Sequence, residues 1–184
     1  NKNWLVENGA LRLTSVMDLA RDSDKKILFD IKPADRHLPG GIIDMAEACG
    51  IPSSRIIFGV RDLAQVMSAY HTDSQAGILG FFPVERLQAY AVLAGSGQYF
   101  RLWERDSTQA NITAVKNADL LPVTMTGYRG QGPDSSFVKQ HFTSDFPEPG
   151  ETSASMLTTA FNRGAYAVLV NHPDKVRNAL TPAN

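Results

Sequence analysis

The feature of this chain that most constrains its fold is a regular alternation of strand-like and helix-like segments. Six short runs of apolar, β-branched and aromatic residues begin at Ile27, Arg55, Ala76, Tyr99, Leu121 and Ala165. The segments between them carry apolar residues at the i, i+3, i+4, i+7 spacing of amphipathic helices. Strands that alternate with helices form a parallel sheet, and nearly continuous apolar runs are typical of strands covered on both faces.

The α/β pattern leaves two architectures open, a doubly wound sheet and a (β/α)₈ barrel. No G-x-G-x-x-G and no Walker sequence follows a predicted strand, which weakens the nucleotide-binding versions of these folds. The 184 residues fall roughly 66 short of the ~250 of a typical barrel. Two βα units of about 30 residues each would fill that gap. We therefore expect residues 1–184 to form a single, partial barrel-type domain with a (β/α)₈, TIM-barrel-like fold.

Composition excludes several classes of protein. A hydrophobic fraction of 43% and a charged fraction of 20% indicate a globular chain. The single cysteine, Cys49, rules out an internal disulfide and a cysteine-based metal cluster. A net charge of −1 without a basic stripe predicts no nucleic-acid partner. No apolar run approaches the ~20 residues of a membrane span, so we expect no transmembrane segment.

Glycine and proline residues between the periodic segments predict where two helices begin and where one long loop lies. Gly40-Gly41 is expected to open the helix after the first strand, and Pro83 to occupy the first turn of the helix after the third. Residues 127–151 are rich in Gly, Pro, Ser and Asp. This segment is expected to be a long βα loop, which in a barrel lies on the catalytic face.

Asp30 and Lys32 are the most informative polar residues, because a barrel carries its site at the carboxyl ends of its strands. They are two residues apart at the end of a predicted strand, so their side chains point to one face. Charged groups there are costly unless they are paired or ligated. Asp30 is able to hold Mg²⁺ or Ca²⁺ while Lys32 neutralises a phosphate, or the two form a buried structural ion pair.

Other residues follow predicted strands and are weaker candidates. Glu104 is either a substrate anchor or a carboxylate at a helix entry. His37 and His141 are candidate catalytic residues, or else solvated loop residues. In the long loop we expect Tyr128, Arg129 and His141 to contact a ligand. Arg61, Asp62 and His172 also follow predicted strands and are given no role.

Four segments, in order, resemble the glycerophosphodiester phosphodiesterases. Residues 28–33, Leu-Phe-Asp-Ile-Lys-Pro, resemble the family's x-E-I-K strand, and residues 13–19 resemble the T-L-E-E-V-L helix before it. Residues 122–126 are similar to the family's W-T-V-N strand, and residues 164–173 to its closing G-V-D-G-I-I-T-D-x-P. The resemblance covers nearly the whole chain and implies a (β/α)₈ barrel that is incomplete at its N-terminal side.

The resemblance also implies an activity. The family hydrolyses small phosphodiesters of lipid metabolism to an alcohol and a phosphomonoester, usually with a divalent metal. Asp30 stands at the position of a metal-binding glutamate, which implies Mg²⁺ or Ca²⁺ there. We expect substrate contacts from Lys32, Glu104, Tyr128 and Arg129.

Departures from the family pattern leave more than one function open. The family's His-Arg-Gly strand and its Glu-x-Asp strand have no counterpart in this sequence, and Val123 and Asn171 replace a tryptophan and an aspartate. The chain is either part of a metal-assisted phosphodiesterase, or a non-catalytic barrel that binds a phosphate-containing ligand or a protein partner. An unrelated phosphate-binding barrel, such as an aldolase or isomerase, is a third hypothesis.

The apparent lack of two βα units generates two expectations. Residues 1–184 by themselves should not hydrolyse a phosphodiester, because the family's acid/base histidine and two of its metal carboxylates are absent from them. The strands at 27–32 and 165–170 would each present an open edge, which is a template for pairing. We therefore expect a dimer or a complementing N-terminal segment.

Overall fold

A computed structural model describes residues 9, 12–32, 35–73, 75–125, 153–171 and 173–180. The chain divides into two compact units, residues 1–80 and residues 81–184. Each unit repeats the strand-then-helix pattern, and each contains three parallel strands in sequential order. The six βα repeats are those of an incomplete (β/α), TIM-barrel-like fold, as the sequence predicts.

The first unit is built on strands β1 (Ile27–Asp30), β2 (Ile56–Val60) and β3 (Gly77–Gly80). Its helices are α1 (Leu13–Arg21), α2 (Leu38–Ala48) and α3 (Leu63–Thr72), and a short 3₁₀ turn (Ser53–Arg55) precedes β2. In the register, Phe29 lies opposite Phe58, and Phe58 opposite Ile78. Within the described part of this unit, β1 pairs with β2 alone.

Apolar side chains from strands and helices form the core of the first unit. The buried apolar residues described in this unit are Met17, Ile31, Ile42, Ile43, Ala46, Ile51, Ile56, Phe58, Val60, Val66, Ala69, Ala76, Ile78 and Leu79. Strand β2 buries Ile56, Phe58 and Val60 completely. These three alternate along the strand, so they share one face.

The second unit is built on strands β4 (Tyr99–Leu102), β5 (Leu121–Met125) and β6 (Ala167–Leu169). Its helices are α4 (Leu87–Ala94), α5 (Gln109–Asn117), α6 (Ala154–Asn162) and α7 (Pro173–Leu180). Two short 3₁₀ helices, Val84–Arg86 and Glu104–Asp106, lie before α4 and after β4. Fully buried Tyr90 packs against Phe82 and Phe100, and its hydroxyl donates to the main-chain oxygen of Tyr99 at 2.8 Å.

Side chains cap the starts of several helices. Asp62 and Gln65 form a reciprocal capping box at α3, in which each side chain accepts from the other residue's main-chain N–H. Thr108 caps α5 and Ser153 caps α6 by accepting from the residue three positions on. Such caps satisfy N–H groups that have no partner inside the helix. Gly50, with φ of +74°, follows the end of α2 in the left-handed region that favours glycine.

Two helix starts differ from the sequence expectation. Helix α2 begins at Leu38 rather than at Gly40, with Pro39 in its first turn. Proline suits that turn because its missing N–H would have no intrahelical partner there. Pro83 is extended, with ψ of 150°, and precedes the 3₁₀ helix Val84–Arg86 rather than lying inside α4.

No helix in the described ranges has the length and apolar character needed to cross a membrane.

The core of the first unit generates a stability prediction. Phe58→Ala should lower the free energy of unfolding by about 3–5 kcal/mol, because it leaves a cavity at a fully buried position. The matched control is Leu19→Ala, because Leu19 is 74% exposed in the same unit and should change that free energy by less than about 0.5 kcal/mol. Chemical denaturation measures both. Equal effects would show that β2 does not bury the face described above.

Candidate functional site

Three charged side chains meet at the carboxyl ends of β1 and β2. Asp30 is the last residue of β1, Lys32 follows it by two residues, and Arg61 directly follows β2. Lys32 Nζ lies 2.7 Å from Asp30 Oδ2, and Arg61 Nη2 lies 3.1 Å from the same oxygen. Arg61 Nη1 donates to Asp30 Oδ1. We call Asp30, Lys32 and Arg61 the mouth cluster.

The register of the parallel ladder positions the mouth cluster. Asp30 lies opposite Gly59, and the ladder continues for one more bond, from Ile31 N–H to the Gly59 carbonyl at 2.9 Å. Arg61 is two residues beyond Gly59, so it lies on the same face one step further along. Because Gly59 has no side chain, nothing from that position stands between Asp30 and Arg61.

Buried Gln65 fixes the turn that carries Arg61. Its Oε1 accepts from the main-chain N–H of Arg61 at 2.6 Å and of Asp62 at 3.3 Å. Its Nε2 donates to the Ile31 carbonyl at 3.5 Å, between Asp30 and Lys32 in the chain. One side chain therefore ties the segment after β1 to the segment after β2.

Asp30 and Lys32 form an ion pair, as one of the two sequence alternatives expects, but the pair is partly exposed and not buried. The side chain of Asp30 is 38% exposed, that of Arg61 37% and that of Lys32 70%. Two cations share one carboxylate, which leaves a net charge of +1. Partial burial by itself would raise the pKa of Asp30. Hydrogen bonds from Arg61 and Lys32 and their positive charges outweigh that effect, so the pKa lies below its ordinary value.

The donor set around Asp30 does not by itself complete a metal site. Both oxygens of Asp30 already accept from cationic groups. Within the described ranges, no three His, Cys, Asp or Glu side chains are grouped so that they could hold a metal ion. The Mg²⁺ or Ca²⁺ expected at Asp30 stays a prediction.

In the second unit, β4 carries a buried cation. Arg101 is 2% exposed, and its guanidinium carbon lies 4.5 Å from the ring centre of Phe81 and 3.0 Å from that of Trp103. Its Nη1 also donates to Met125 Sδ at 3.5 Å. The electron-rich faces of aromatic rings attract a desolvated guanidinium, which stabilises the charge inside the unit.

Acidic residues follow β4 in the 3₁₀ helix Glu104–Asp106. Glu104 opens that helix, which is the place expected of a helix-entry carboxylate, and its role toward a substrate stays a prediction. The pKa of Asp106 lies above its ordinary value. Burial is the main cause and the charge of Glu85 adds to it, against the opposing charges of Arg105 and Arg101.

The other candidate residues divide into two groups. His37 lies just before α2, exposed, where its Nε2 accepts from Arg36 Nε at 3.2 Å and its main-chain N–H donates to Asp35 Oδ1 at 2.9 Å. The contacts of its ring are therefore with Arg36 and not with the mouth cluster. Tyr128, Arg129 and His141, together with the whole 127–151 segment, lie outside the described residues, as does His172.

Two contributors to the site were not assigned by sequence reasoning. Arg61 was selected by its position after a strand, but its contact with Asp30 joins residues 31 apart in the chain. Gln65 carries a recognisable signal, because Asp62 and Gln65 have the spacing of a capping box. The second role of Gln65, bonding to Ile31, has no local sequence signal.

Comparison with known proteins gives a fold neighbour. No family model matches the chain, and no curated protein matches it. Its fold is similar to the crystal structure of a candidate glycerophosphodiester phosphodiesterase from Galdieria sulphuraria, with a TM-score of 0.64 and 9% sequence identity. The match covers 90% of this chain, which spans about 62% of the length of that structure. At this identity the likeness shows the fold alone.

The two shifted carboxyls generate opposite pH dependences. A lowered pKa at Asp30 contributes stability above its ordinary value of 3.8, and that stability is lost as pH falls below it. A raised pKa at Asp106 contributes stability below 3.8, which is lost as pH rises through the higher folded value. Asp30→Asn should therefore cost more thermal stability at about pH 6.5 than at about pH 2.5, and Asp106→Asn the reverse.

Thermal unfolding midpoints are measured for both variants and for the unaltered chain between about pH 2.5 and about pH 6.5. The loss of stability in each variant, plotted against pH, gives one slope for Asp30 and one for Asp106. Each difference should correspond to less than about 1 kcal/mol, because solvent screens charges that are only partly buried. Asp22→Asn, at an exposed position after α1, is the control. Slopes of the same sign for the Asp30 and Asp106 variants would contradict the assigned electrostatics.

Proposed function

We propose that this chain belongs to a phosphoric diester hydrolase that acts on a glycerophosphodiester or a related lipid headgroup, and that Arg61 and Lys32 hold the substrate phosphate. The observation that carries the proposal is the mouth cluster, in which one carboxylate presents two cations at the carboxyl ends of neighbouring strands. That end of a parallel barrel is where such folds bind substrates. The fold neighbour from Galdieria sulphuraria supports the reaction class by analogy.

The chemistry of the mouth cluster suits a phosphodiester. A phosphodiester carries one negative charge, which matches the net charge of +1 on the cluster. An arginine guanidinium carries five N–H donors, so the two bonds from Arg61 to Asp30 do not by themselves exhaust them. Lysine acts as a mobile point charge. The 70% exposure of Lys32 leaves its ammonium group able to turn from Asp30 toward a bound anion.

Asp30 has a positioning role in this proposal. Its two oxygens hold Arg61 and Lys32 on one side of the strand ends before substrate arrives. Cations held in place lose less conformational entropy on binding than free side chains do. A Mg²⁺ or Ca²⁺ ion at Asp30 in the intact protein would supply further positive charge at the same place, as the family resemblance implies.

A non-catalytic, phosphate-binding barrel is the second candidate function. One observation favours it: within the described residues, no imidazole contacts the mouth cluster, and His37 is engaged with Arg36 instead. Hydrolysis of a phosphodiester needs a group that moves a proton to the leaving alcohol. The two candidates share the binding step and differ in turnover.

Binding is tested with glycerophosphocholine and residues 1–184. Arg61→Gln and Lys32→Met should each weaken binding about 10-fold or more, since a charge-assisted hydrogen bond contributes ~1.5–3 kcal/mol. Titration calorimetry gives the dissociation constants. The matched control is Arg21→Gln, because Arg21 ends α1 before β1 begins and is paired with Asp18. Unchanged affinity in both mouth variants would remove the mouth cluster from substrate binding.

Two further measurements separate metal and turnover from binding. If Asp30 binds a metal, Mg²⁺ or Ca²⁺ should tighten binding of glycerophosphocholine, and Asp30→Asn should abolish that gain. Release of glycerol phosphate by the intact protein, lost in Arg61→Gln, supports the hydrolase. Retained binding without release by the intact protein would favour the non-catalytic module.

A further inference from the structure

An open groove on the first unit, separate from the mouth cluster, is lined by several basic side chains. Arg36 and His37, in the segment before α2, line it together with His71 at the end of α3. Ser68 and Met67 of α3 contribute to its lining. We call this the helix groove. No residue of the mouth cluster lines it.

The segment that carries Arg36 is held against α3. The hydroxyl of Ser68 donates to the main-chain oxygen of Arg36 at 2.5 Å. Asp35 Oδ1 accepts from the His37 N–H, which fixes the turn into α2. Both contacts involve the main chain, so the segment keeps its place when the side chain of Arg36 changes.

The guanidinium of Arg36 is available to an anion. Its Nε donates to His37 Nε2, and across the described ranges no carboxylate lies within ion-pair distance of it. Its two terminal nitrogens make no hydrogen bond to the described residues, so no described group competes with an anion for these donors. Because His37 accepts at Nε2, its remaining nitrogen, Nδ1, carries the proton and is a donor.

His71 adds a second imidazole. Its ring packs edge-on against Tyr70, with ring centres 5.8 Å apart, and it makes no hydrogen bond within the described part of the chain. Either nitrogen of a neutral imidazole is able to donate to an anion, according to its tautomer.

Acidic side chains on the packed elements do not line the groove. Asp35 and Asp73 accept main-chain N–H groups, from His37 and Gln75 respectively. Asp44 and Glu47 lie on α2, and neither is a lining residue. The lining therefore combines one permanent positive charge with two imidazoles that are able to donate hydrogen bonds.

We propose that the helix groove is a second anion site, which takes a small phosphate-bearing ligand of the phosphomonoester type. The arginine fork engages two phosphate oxygens, and the imidazoles of His37 and His71 engage the others. A phosphomonoester carries up to two negative charges and more acceptor oxygens than a carboxylate, so it makes fuller use of three cationic or donor groups. This site would act independently of substrate binding at the mouth cluster.

The test uses inorganic phosphate and residues 1–184. Imidazole NMR signals of His37 and His71, assigned with His37→Gln and His71→Gln, should shift along one saturating curve as phosphate is added at constant ionic strength. Arg36→Gln should weaken that binding about 10-fold or more, whereas Arg61→Gln should leave it unchanged. Acetate at the same concentrations should give no saturating shift. Unaltered circular dichroism of Arg36→Gln confirms that the variant folds.

Three results would overturn the proposal. If Arg61→Gln abolishes the phosphate response and Arg36→Gln does not, phosphate occupies the mouth cluster and not the groove. If both imidazoles respond to Zn²⁺ and not to phosphate, the groove is a metal site. If acetate and phosphate saturate equally, the groove does not select a phosphate. None of these results depends on whether the protein hydrolyses a phosphodiester.

Discussion

The shared carboxylate of Asp30 is the interaction on which the candidate site depends. Two cations placed side by side at the carboxyl ends of neighbouring strands would repel each other, and each side chain would be free to adopt many rotamers. Asp30 removes part of that repulsion and fixes both groups, with Lys32 Nζ at 2.7 Å and Arg61 Nη2 at 3.1 Å from one of its oxygens. The arrangement exists because the parallel register sets Asp30 beside a glycine and places Arg61 one step beyond it.

In the second unit, the charged guanidinium of Arg101 is buried and not exposed at the strand ends. Arg101 is almost completely buried on β4, with Phe81 and Trp103 against its guanidinium and Met125 as an acceptor. Aromatic faces desolvate the cation while they compensate its charge. Close by, burial and the carboxylate of Glu85 disfavour ionisation of Asp106. The first unit thus exposes its charges at the strand ends, whereas the second withdraws one of them from solvent.

Much of the fold could be predicted because it depends on the regular spacing of apolar residues along the sequence. The six strands and the helices between them follow from the alternation of apolar residues, which responds directly to burial on one face. Helix starts were less predictable because single residues decide them, as Pro39 and Pro83 show. The Asp30–Lys32 pair was predictable because both residues belong to one strand end. The contact between Asp30 and Arg61 was not, because it requires the register between two strands.

Gln65 couples the start of helix α3 to the segments that follow β1 and β2. The same side chain completes the first turn of α3 and bonds to main-chain groups after both β1 and β2. If the first turn of α3 frays, the hydrogen bond that holds the Arg61 main chain is lost in the same event. Helix fraying and loosening of the strand-end loops should therefore be one cooperative opening, with a common amide-exchange rate for Arg61, Asp62 and Gln65. The local stability of helix α3 then sets how long Arg61 and Lys32 stay in this arrangement.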